Sequence, residues 1–404
     1  MSGQYGRQTA TSRLGVSRRT PELRRYLAIA AVFFLNAAVF ANWVPRIPTI
    51  QNELRLDNAQ LGLALLGLAA GQLIMLPFAG RLVTRLGSRR AAVAAAVVSS
   101  IAIALPPAAG SLAMLTLVLM LLGITGAILD VAMNSQGIEL ERIAARTILP
   151  YFHAAFSLGS LVGAAMGSAA AALGLAPEPH LLAAGGLFAL LGLASAPGLL
   201  PADPQTTGSP GRPHLDRFLI SLGLLAWSAL LVEGAVTDWS AVFMRTELQA
   251  SAGAAGAGYI AFAATMFVGA LAGPRLSERY GSAQLIRVGG LLTTASTALI
   301  VLPHVLGLAI LGFAGIGAAL ACTFPLILST AGRHPTALVG TSVATVSIMG
   351  YTGFLAGPPL IGFIAEATSL SIALGLAGMF GLVLFFFADI VDGVPSRPAT
   401  REPG

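Results

Sequence analysis

Asp130 and Asn134 stand in a mostly apolar segment that runs from Leu112 to Gly137 and is almost free of charge. In an α-helix these residues are four apart and therefore lie on the same face. A carboxylate at bilayer depth costs roughly 2.5 to 3.5 kcal/mol on insertion scales, so within a membrane such a residue is expected to serve a function and to have a partner. An acid beside an amide could bind a proton and form hydrogen bonds with a polar ligand.

His153 is the predicted partner of Asp130. If the first helix ends near Gly137 and the next begins near Thr147, both side chains lie about 10 Å from the same membrane face, at ~1.5 Å per residue. Helices joined by a short connection run antiparallel, so the two side chains are predicted to meet. The structural alternative is that Asp130 bonds a neighbouring helix and that His153 is a satisfied core histidine.

The composition indicates a protein with many membrane spans. Of its 404 residues, 56% are hydrophobic and only 10% are charged, where a soluble domain has about 25% charged residues. Cys322 is the single cysteine, which excludes a disulfide framework and a thiolate metal site. No nucleotide-binding loop, metal spacing or nucleophile elbow is present, so no cofactor is expected. A membrane enzyme would have to use Glu139, Glu141, Arg142 and His153, and such a charged loop is usually only solvated.

Apolar runs of about 20 residues are long enough to cross a bilayer. They predict twelve spans, at 26–44, 59–80, 91–107, 111–137, 148–173, 180–199, 218–243, 256–274, 284–303, 305–330, 338–365 and 369–390. An even number places both termini on one side. With the termini inside, only Arg46, Arg55 and Arg245 of the 23 basic residues lie outside, which predicts a multi-pass plasma-membrane protein (a bacterial inner-membrane protein) with cytoplasmic termini. The arginines follow topology and form no nucleic-acid surface; membrane lipid is the expected surrounding.

The two halves of the chain repeat each other at a shift of 194 residues. The turn at Gly87 recurs at Gly281, and Gly159 recurs at Gly353. The sequence therefore predicts an all-α membrane protein of two pseudo-symmetric six-helix bundles, as in one class of transporters. Asp130 does not repeat, because the same shift leads to Phe324. The predicted divisions are a tail at 1–25, a bundle at 26–199, a cytoplasmic linker at 200–217, a bundle at 218–390 and a tail at 391–404.

The segment from Gly80 to Arg90, between the second and third spans, resembles the conserved cytoplasmic loop of the major facilitator superfamily. In that family the loop holds the two halves together when the site faces outward, usually through an aspartate where this chain has Thr84. Glu278 stands at the matching place in the second copy. The resemblance implies a cytoplasmic gate made of Gly80, Arg85, Gly87, Arg89, Arg90, Glu278, Arg279 and Gly281.

Within the superfamily, the motif from Leu129 to Asn134 resembles the fourth span of the fucose/proton symporters and of related bacterial members. The segment from His153 to Gly159 is similar to their fifth span, and Glu233 followed by Trp239 is similar to their seventh. The resemblance implies a non-enzymatic carrier in which Asp130 and His153 couple transport to protons.

Five residues are predicted to contact the substrate: Asn36, Asn134, Glu233, Trp43 and Trp239. The tryptophans could stack on sugar rings, or could belong to an interfacial aromatic belt. The sequence thus predicts a monomeric secondary transporter that moves a small polar solute, such as a sugar, together with protons by alternating access. The alternative is proton-coupled efflux of a drug or metabolite by the same fold.

Overall fold

A computed structural model describes residues 19–144, 146, 148–201, 216–333 and 339–393. These residues form helices joined by short connections. The first half contains α1 (Arg19–Trp43), α2 (Ile47–Glu53), α3 (Asn58–Leu86), α4 (Ser88–Ala102), α5 (Leu112–Ala144), α6 (Leu149–Ala172) and α7 (Pro177–Ser195). The second half contains α8 (Arg217–Thr246), α9 (Ala257–Tyr280), α10 (Ser282–Val301), α11 (Leu306–Leu320), α12 (Thr323–Gly332), α13 (Val339–Ala367), α14 (Leu370–Gly378) and α15 (Phe380–Phe387).

The predicted fold class is confirmed. In the described part of the chain, 11 helical segments are long and apolar enough to cross a membrane. Three of them each combine two α-helices: α1 with α2, α11 with α12, and α14 with α15. The remaining predicted span corresponds to α4, whose 15 residues extend about 22 Å. We call the membrane side that carries the start of α1 and the end of α15 the terminal side, and the other the opposite side.

Equivalent glycines hold the corresponding helices of each half together. A Cβ at Gly159 would strike the carbonyl oxygen of Phe34, so α6 lies directly against α1. In the second half a Cβ at Gly353 would strike the carbonyl oxygen of Trp227, so α13 lies against α8 in the same way. Helices in lipid associate through such close packing, because lipid leaves little hydrophobic force between them. The repeat read from the sequence is thus a repeat of helix contacts.

The repeated turns on the terminal side also share one backbone conformation. Gly87 connects α3 to α4 with φ 81°, and Gly281 connects α9 to α10 with φ 81°. A side chain is strained at such a positive φ, whereas glycine adopts it readily. This requirement explains why both copies of the loop carry glycine at the same place.

The two halves meet in a seal on the opposite side. Gly62 of α3 lies against α13, where an added Cβ would be 2.6 Å from the carbonyl oxygen of Pro358 and 3.3 Å from the Cα of Gly362. Nearby, the backbone N–H of Asn58 donates to Glu366 Oε2 at 3.0 Å. A second contact joins α6 to α9. The structure is therefore closed on the opposite side.

The helix that carries Asp130 is longer than predicted. The sequence placed its end near Gly137, but α5 continues to Ala144 because the glycine packs against Leu149 and Phe152 without ending the helix. Asp130 lies about 21 Å along α5 from that end, whereas His153 lies only about 6 Å along α6 from its start at Leu149. The prediction that the two side chains are level was wrong.

The charged connection between α5 and α6 has a structural role. The carboxylate of Glu141 accepts hydrogen bonds from the backbone N–H groups of Ile148 and Leu149, both at 2.9 Å. It thereby satisfies donors at the start of α6, which the helix itself leaves unpaired. Glu139 pairs with Arg142 on the last turns of α5 at 2.5 Å. These contacts give Glu139, Glu141 and Arg142 a structural role in the connection between α5 and α6.

Candidate functional site

A cleft between the halves contains Asp130 at about the middle of α5. It lies between α3, α5 and α13, and its empty space, including the part that is open to solvent, amounts to about 390 Å³. We call it the Asp130 cleft. Eight of the described residues line it: Ala69, Gln72, Leu73, Leu76, Ala127, Asp130, Tyr351 and Phe354. Asp130 is the only charged residue among these eight, so one carboxylate faces an otherwise mostly apolar space.

The α5 helix positions Asp130 and Asn134 together, as their spacing predicted. Asn134 Nδ2 donates to the backbone oxygen of Asp130 at 2.9 Å and to its Oδ1 at 3.3 Å. Gly126 lies one turn earlier on the same helix. A Cβ at this position would have no neighbour within 4 Å among the described residues. The missing side chain leaves open space beside the carboxylate.

Tyr351 links the acids of the two halves. Its phenol is within electrostatic range of Asp130 in the first half and of Glu233 in the second. Glu233 lies near the middle of α8 and is half-buried, and the next residue, Gly234, packs against the ring of Phe354. Glu233 is therefore close to the wall of the cleft, across Tyr351 from Asp130.

Asn36 of α1 is half-buried and points towards α5. Its Nδ2 lies 3.6 Å from the sulfur of Met133, the residue that precedes Asn134. A thioether is a weak acceptor, so this amide can exchange its contact for a better one. The structure thus brings Asn36 close to the helix that carries Asp130.

His153 does not meet Asp130. Its ring lies edge-on to Phe33, with 5.4 Å between centroids, and its side chain is exposed. Helix α1 packs closely on α6, whereas α5 and α6 touch little. The predicted contact between the two residues was wrong, because α1 lies between their helices and because α5 is longer than expected.

Trp43 and Trp239 lie at the opposite side, outside the Asp130 cleft. Both are fully buried, and within the described part of the chain the indole N–H of each has no hydrogen-bond partner. Asp238, beside Trp239, is also buried, so it is not a solvated residue at the end of the span. These positions form matching ends of α1 and α8 under the seal, and an interfacial belt does not describe them.

Of the eight lining residues only Asp130 was predicted from the sequence; the polar and aromatic residues that were missed are Gln72, Tyr351 and Phe354. Gln72 is an amide in the apolar α3, a signal that could have been read in the same way as Asn134. The two aromatic residues come from the second half and lie next to Asp130 only because α13 packs against α3. Nothing in their local sequence indicates this contact.

The predicted gate residues lie on the terminal side. Arg85 of the first copy and both Glu278 and Arg279 of the second copy are exposed. Arg89 is half-buried at the start of α4, Arg90 is exposed, and Gly80 has no neighbour within 4 Å of an added Cβ. Arg279 lies over the ring of its neighbour Tyr280, 5.3 Å from the centroid. No ion pair between the two copies is seen among the described residues.

Two repeated six-span halves around a central cleft, sealed on one side, define a membrane transporter rather than an enzyme. A sequence model of the Major Facilitator Superfamily matches residues 29–335, and the chain belongs to that superfamily. The finer resemblance to the fucose/proton symporters stays a prediction.

Relatives match over nearly the whole chain. An uncharacterized MFS-type transporter of Yersinia pestis is 31% identical over 364 residues, which cover 90% of this chain and 95% of that protein. An uncharacterized transporter of Sinorhizobium fredii is 32% identical over 375 residues, covering 91% and 98%. The membrane protein MosC of Rhizobium meliloti is 31% identical over 354 residues, covering 86% and 85%.

Solved structures share the fold. A mutant of the nucleoside transporter NupG gives a TM-score of 0.75 at 15% identity, covering 91% of this chain and 99% of that one. A bacterial homolog of the human lysosomal transporter Spinster, in an inward-facing and unoccupied conformation, gives 0.73 at 17% identity, covering 94% and 99%. At these identities the likeness concerns the fold alone.

Proposed function

We propose that this transporter moves a small polar solute, such as a sugar, together with protons, and that Asp130 carries the proton. The observation that carries the proposal is a single carboxylate in the lining of a cleft between two halves that are sealed on the opposite side. The halves, 26–199 and 218–390, would rock about this cleft with the linker 200–217 between them, so that Asp130 faces each side of the membrane in turn.

Burial gives Asp130 its coupling role. A carboxylate in an apolar cleft is costly when charged and much less costly when neutral. The two halves therefore rock past each other more easily when Asp130 is protonated or when a bound solute compensates its charge. The second half has Phe324 at the matching position, in ring contact with Tyr351 at 6.1 Å. A carboxylate on one side of the repeat favours a chemical role over a structural one.

Asn36, Asn134 and Glu233 are the proposed solute contacts. Two amides and a second acid around the cleft offer donors and acceptors for hydroxyl groups. Trp43 and Trp239 lie under the seal, so they could reach a solute only when the opposite side opens. His153 is exposed on α6, away from Asp130; any part it has in coupling would be as a separate proton acceptor.

Efflux of a drug or metabolite remains the second candidate, and one observation favours it. Leu73, Leu76, Tyr351 and Phe354 give the Asp130 cleft an apolar and aromatic wall, which suits a lipophilic ligand. Ligand-induced thermal stabilisation of the purified protein separates the two candidates, because a bound ligand stabilises the folded state. Stabilisation by sugars supports solute uptake, stabilisation by lipophilic cations alone supports efflux, and stabilisation by neither contradicts both.

We further propose that the gate forms when the terminal side closes. Substituting Arg85→Ala is expected to lower the transport rate by roughly tenfold, equivalent to about 1.4 kcal/mol, because the state closed on the terminal side would lose a contact that is not seen among the described residues of the present structure. Transport and the yield of folded protein are measured together. Arg217→Ala, an exposed arginine on the same side but outside both loops, is the control. An unchanged transport rate in the Arg85 variant would mean that the arginines of the loop only set the orientation of the chain in the membrane.

The terminal side is proposed to be cytoplasmic, in a plasma membrane (a bacterial inner membrane), and the working unit a monomer. Apart from Arg46, Arg55 and Arg245, the arginines then lie inside. Single cysteines at Ser2, Thr207 and Pro403, which lie outside the described residues, are expected to resist impermeant thiol labels in intact cells of a Cys322→Ala variant. Ready labelling at any of the three would reverse the orientation.

A further inference from the structure

A buried arginine follows the first span on the opposite side. Arg46 is 3% exposed and lies in a single helical turn, Val44–Arg46, between α1 and α2. Its Nε donates to His180 Nδ1 at 3.1 Å, and its Nη1 donates to the backbone oxygen of Leu175 at 3.0 Å. Nη2 has no hydrogen-bond partner among the described residues. Within that part of the chain the guanidinium is thus hydrogen-bonded only to neutral acceptors.

These contacts determine the protonation state of His180. A guanidinium can only donate hydrogen bonds, so Nδ1 must accept and carries no proton. The other ring nitrogen, Nε2, lies 3.1 Å from Asn42 Oδ1 and therefore donates to it. His180 is 8% exposed, neutral and fixed in one tautomer. A second proton would place an N–H against the Arg46 N–H and two positive charges in direct contact.

This chain of hydrogen bonds borders the seal between the halves. A Cβ at Gly167 of α6 would lie 2.6 Å from the backbone oxygen of Asn42. Pro45, beside Arg46, packs against Gly256 at the start of α9, and Ser168 Oγ touches the same glycine. The position of the Val44–Arg46 turn therefore determines how closely α6 and α9 can meet.

Few other charged groups surround His180. Glu178 is exposed on the same helix, and Glu53 of α2 acts on Arg46 at a distance. The charged residues of α4 and the His153 of α6 lie near the terminal side, and α1 has no acid or base between Arg25 and Arg46. Protonation of His180 therefore changes its interaction with Arg46 more than any other charge interaction around the Val44–Arg46 turn.

We propose that His180 is a positioning residue of the opposite-side seal and that its protonation opens the seal. Acid on the opposite side would break the Arg46 hydrogen bond, release the turn and allow α6 and α9 to separate. This inference rests on the proposed alternating access, since it needs a state that is open on the opposite side. It assigns to His180 a dependence on pH that is separate from proton binding at Asp130.

The test labels the seal itself. Ser168→Cys in a Cys322→Ala background places a thiol at the opposite-side seal, in a side chain of nearly the same size as serine. Labelling by an impermeant maleimide is followed at pH 7.5 and 5.5, normalised at each pH to the unfolded protein. We expect about tenfold faster labelling at the lower pH, because a proton that binds His180 well only after the seal has opened shifts the equilibrium towards the open state by about that factor one pH unit below the ordinary histidine pKa of about 6.5. Adding His180→Gln should remove this difference.

A second histidine on the same side provides a matched control. His304 is exposed and its Nε2 lies 3.1 Å from Ser371 Oγ, away from the seal, so His304→Gln should keep the full dependence on pH. If the Ser168→Cys protein that keeps both histidines labels at the same rate at both pH values, the proposal is overturned. This holds whether or not His180→Gln folds. An equal dependence in a folded His180→Gln variant would also overturn it. This experiment measures labelling and not transport. Its outcome is therefore independent of whether Asp130 couples transport to protons.

Discussion

Substituting Asp130→Asn is expected to abolish accumulation driven by a pH gradient and to leave counterflow exchange intact. The amide imitates the protonated acid at nearly constant volume, so the halves can still rock about a bound solute. Exchange needs no net movement of protons, whereas accumulation does. Paired uptake and counterflow assays in proteoliposomes, with a solute found by thermal stabilisation, measure both activities.

Two comparisons make the Asp130 experiment decisive. Asp130→Glu keeps an acid at the same place and is expected to retain accumulation, at a lower rate because the longer side chain crowds the cleft. Asn134→Ala removes the hydrogen-bond donor to Asp130 but keeps the acid, so it should weaken exchange without abolishing coupling. Undiminished gradient-driven accumulation by Asp130→Asn would contradict the coupling role, and Glu233 would then be the leading acid.

The Gly62→Val substitution is expected to stop transport by preventing closure of the opposite side. A Cβ at Gly62 would lie 2.6 Å from the carbonyl oxygen of Pro358, well inside contact distance, and the two methyl groups would add to the clash. Overpacking of this kind costs about 1–3 kcal/mol, and here the cost falls only on the sealed state. We expect transport to fall by more than about tenfold while folded protein is retained.

A glycine away from the seal separates this effect from general damage. Gly186 of α7 has no neighbour within 4 Å of an added Cβ, so Gly186→Val should transport normally. The Gly62 variant should also label faster at Ser168→Cys from the opposite side, since its halves are held apart there. Normal transport by Gly62→Val would mean that the contact between α3 and α13 is not part of the cycle.

The repeat made most of the fold predictable. Glycines at equal spacing from the start of each half marked both the turns at Gly87 and Gly281 and the helix contacts at Gly159 and Gly353. These are backbone requirements, a positive φ in one case and close helix approach in the other, and only glycine meets them. A backbone requirement that only glycine meets can be recognised in a sequence from the position of the glycine alone.

The site was only partly predictable, because it combines residues from both halves. Asp130 and Asn134 share one helix, so their spacing was sufficient. Tyr351 reaches Asp130 across the interface between α3 and α13, which no local pattern encodes. The error in the end of α5 has a similar origin: Gly137 was taken as a stop, whereas its role is to admit Leu149 and Phe152 from the next helix.

The most direct test of the account asks whether the Asp130 cleft faces both sides of the membrane. Leu73→Cys places a thiol in the lining of the cleft, in a Cys322→Ala background that has no other cysteine. An impermeant maleimide is applied to vesicles of each orientation. Alternating access predicts labelling of this one cysteine from either side, with the Gly62→Val variant shifted towards the opposite side. If this cysteine were labelled in vesicles of only one orientation, with and without Gly62→Val, the result would contradict alternating access.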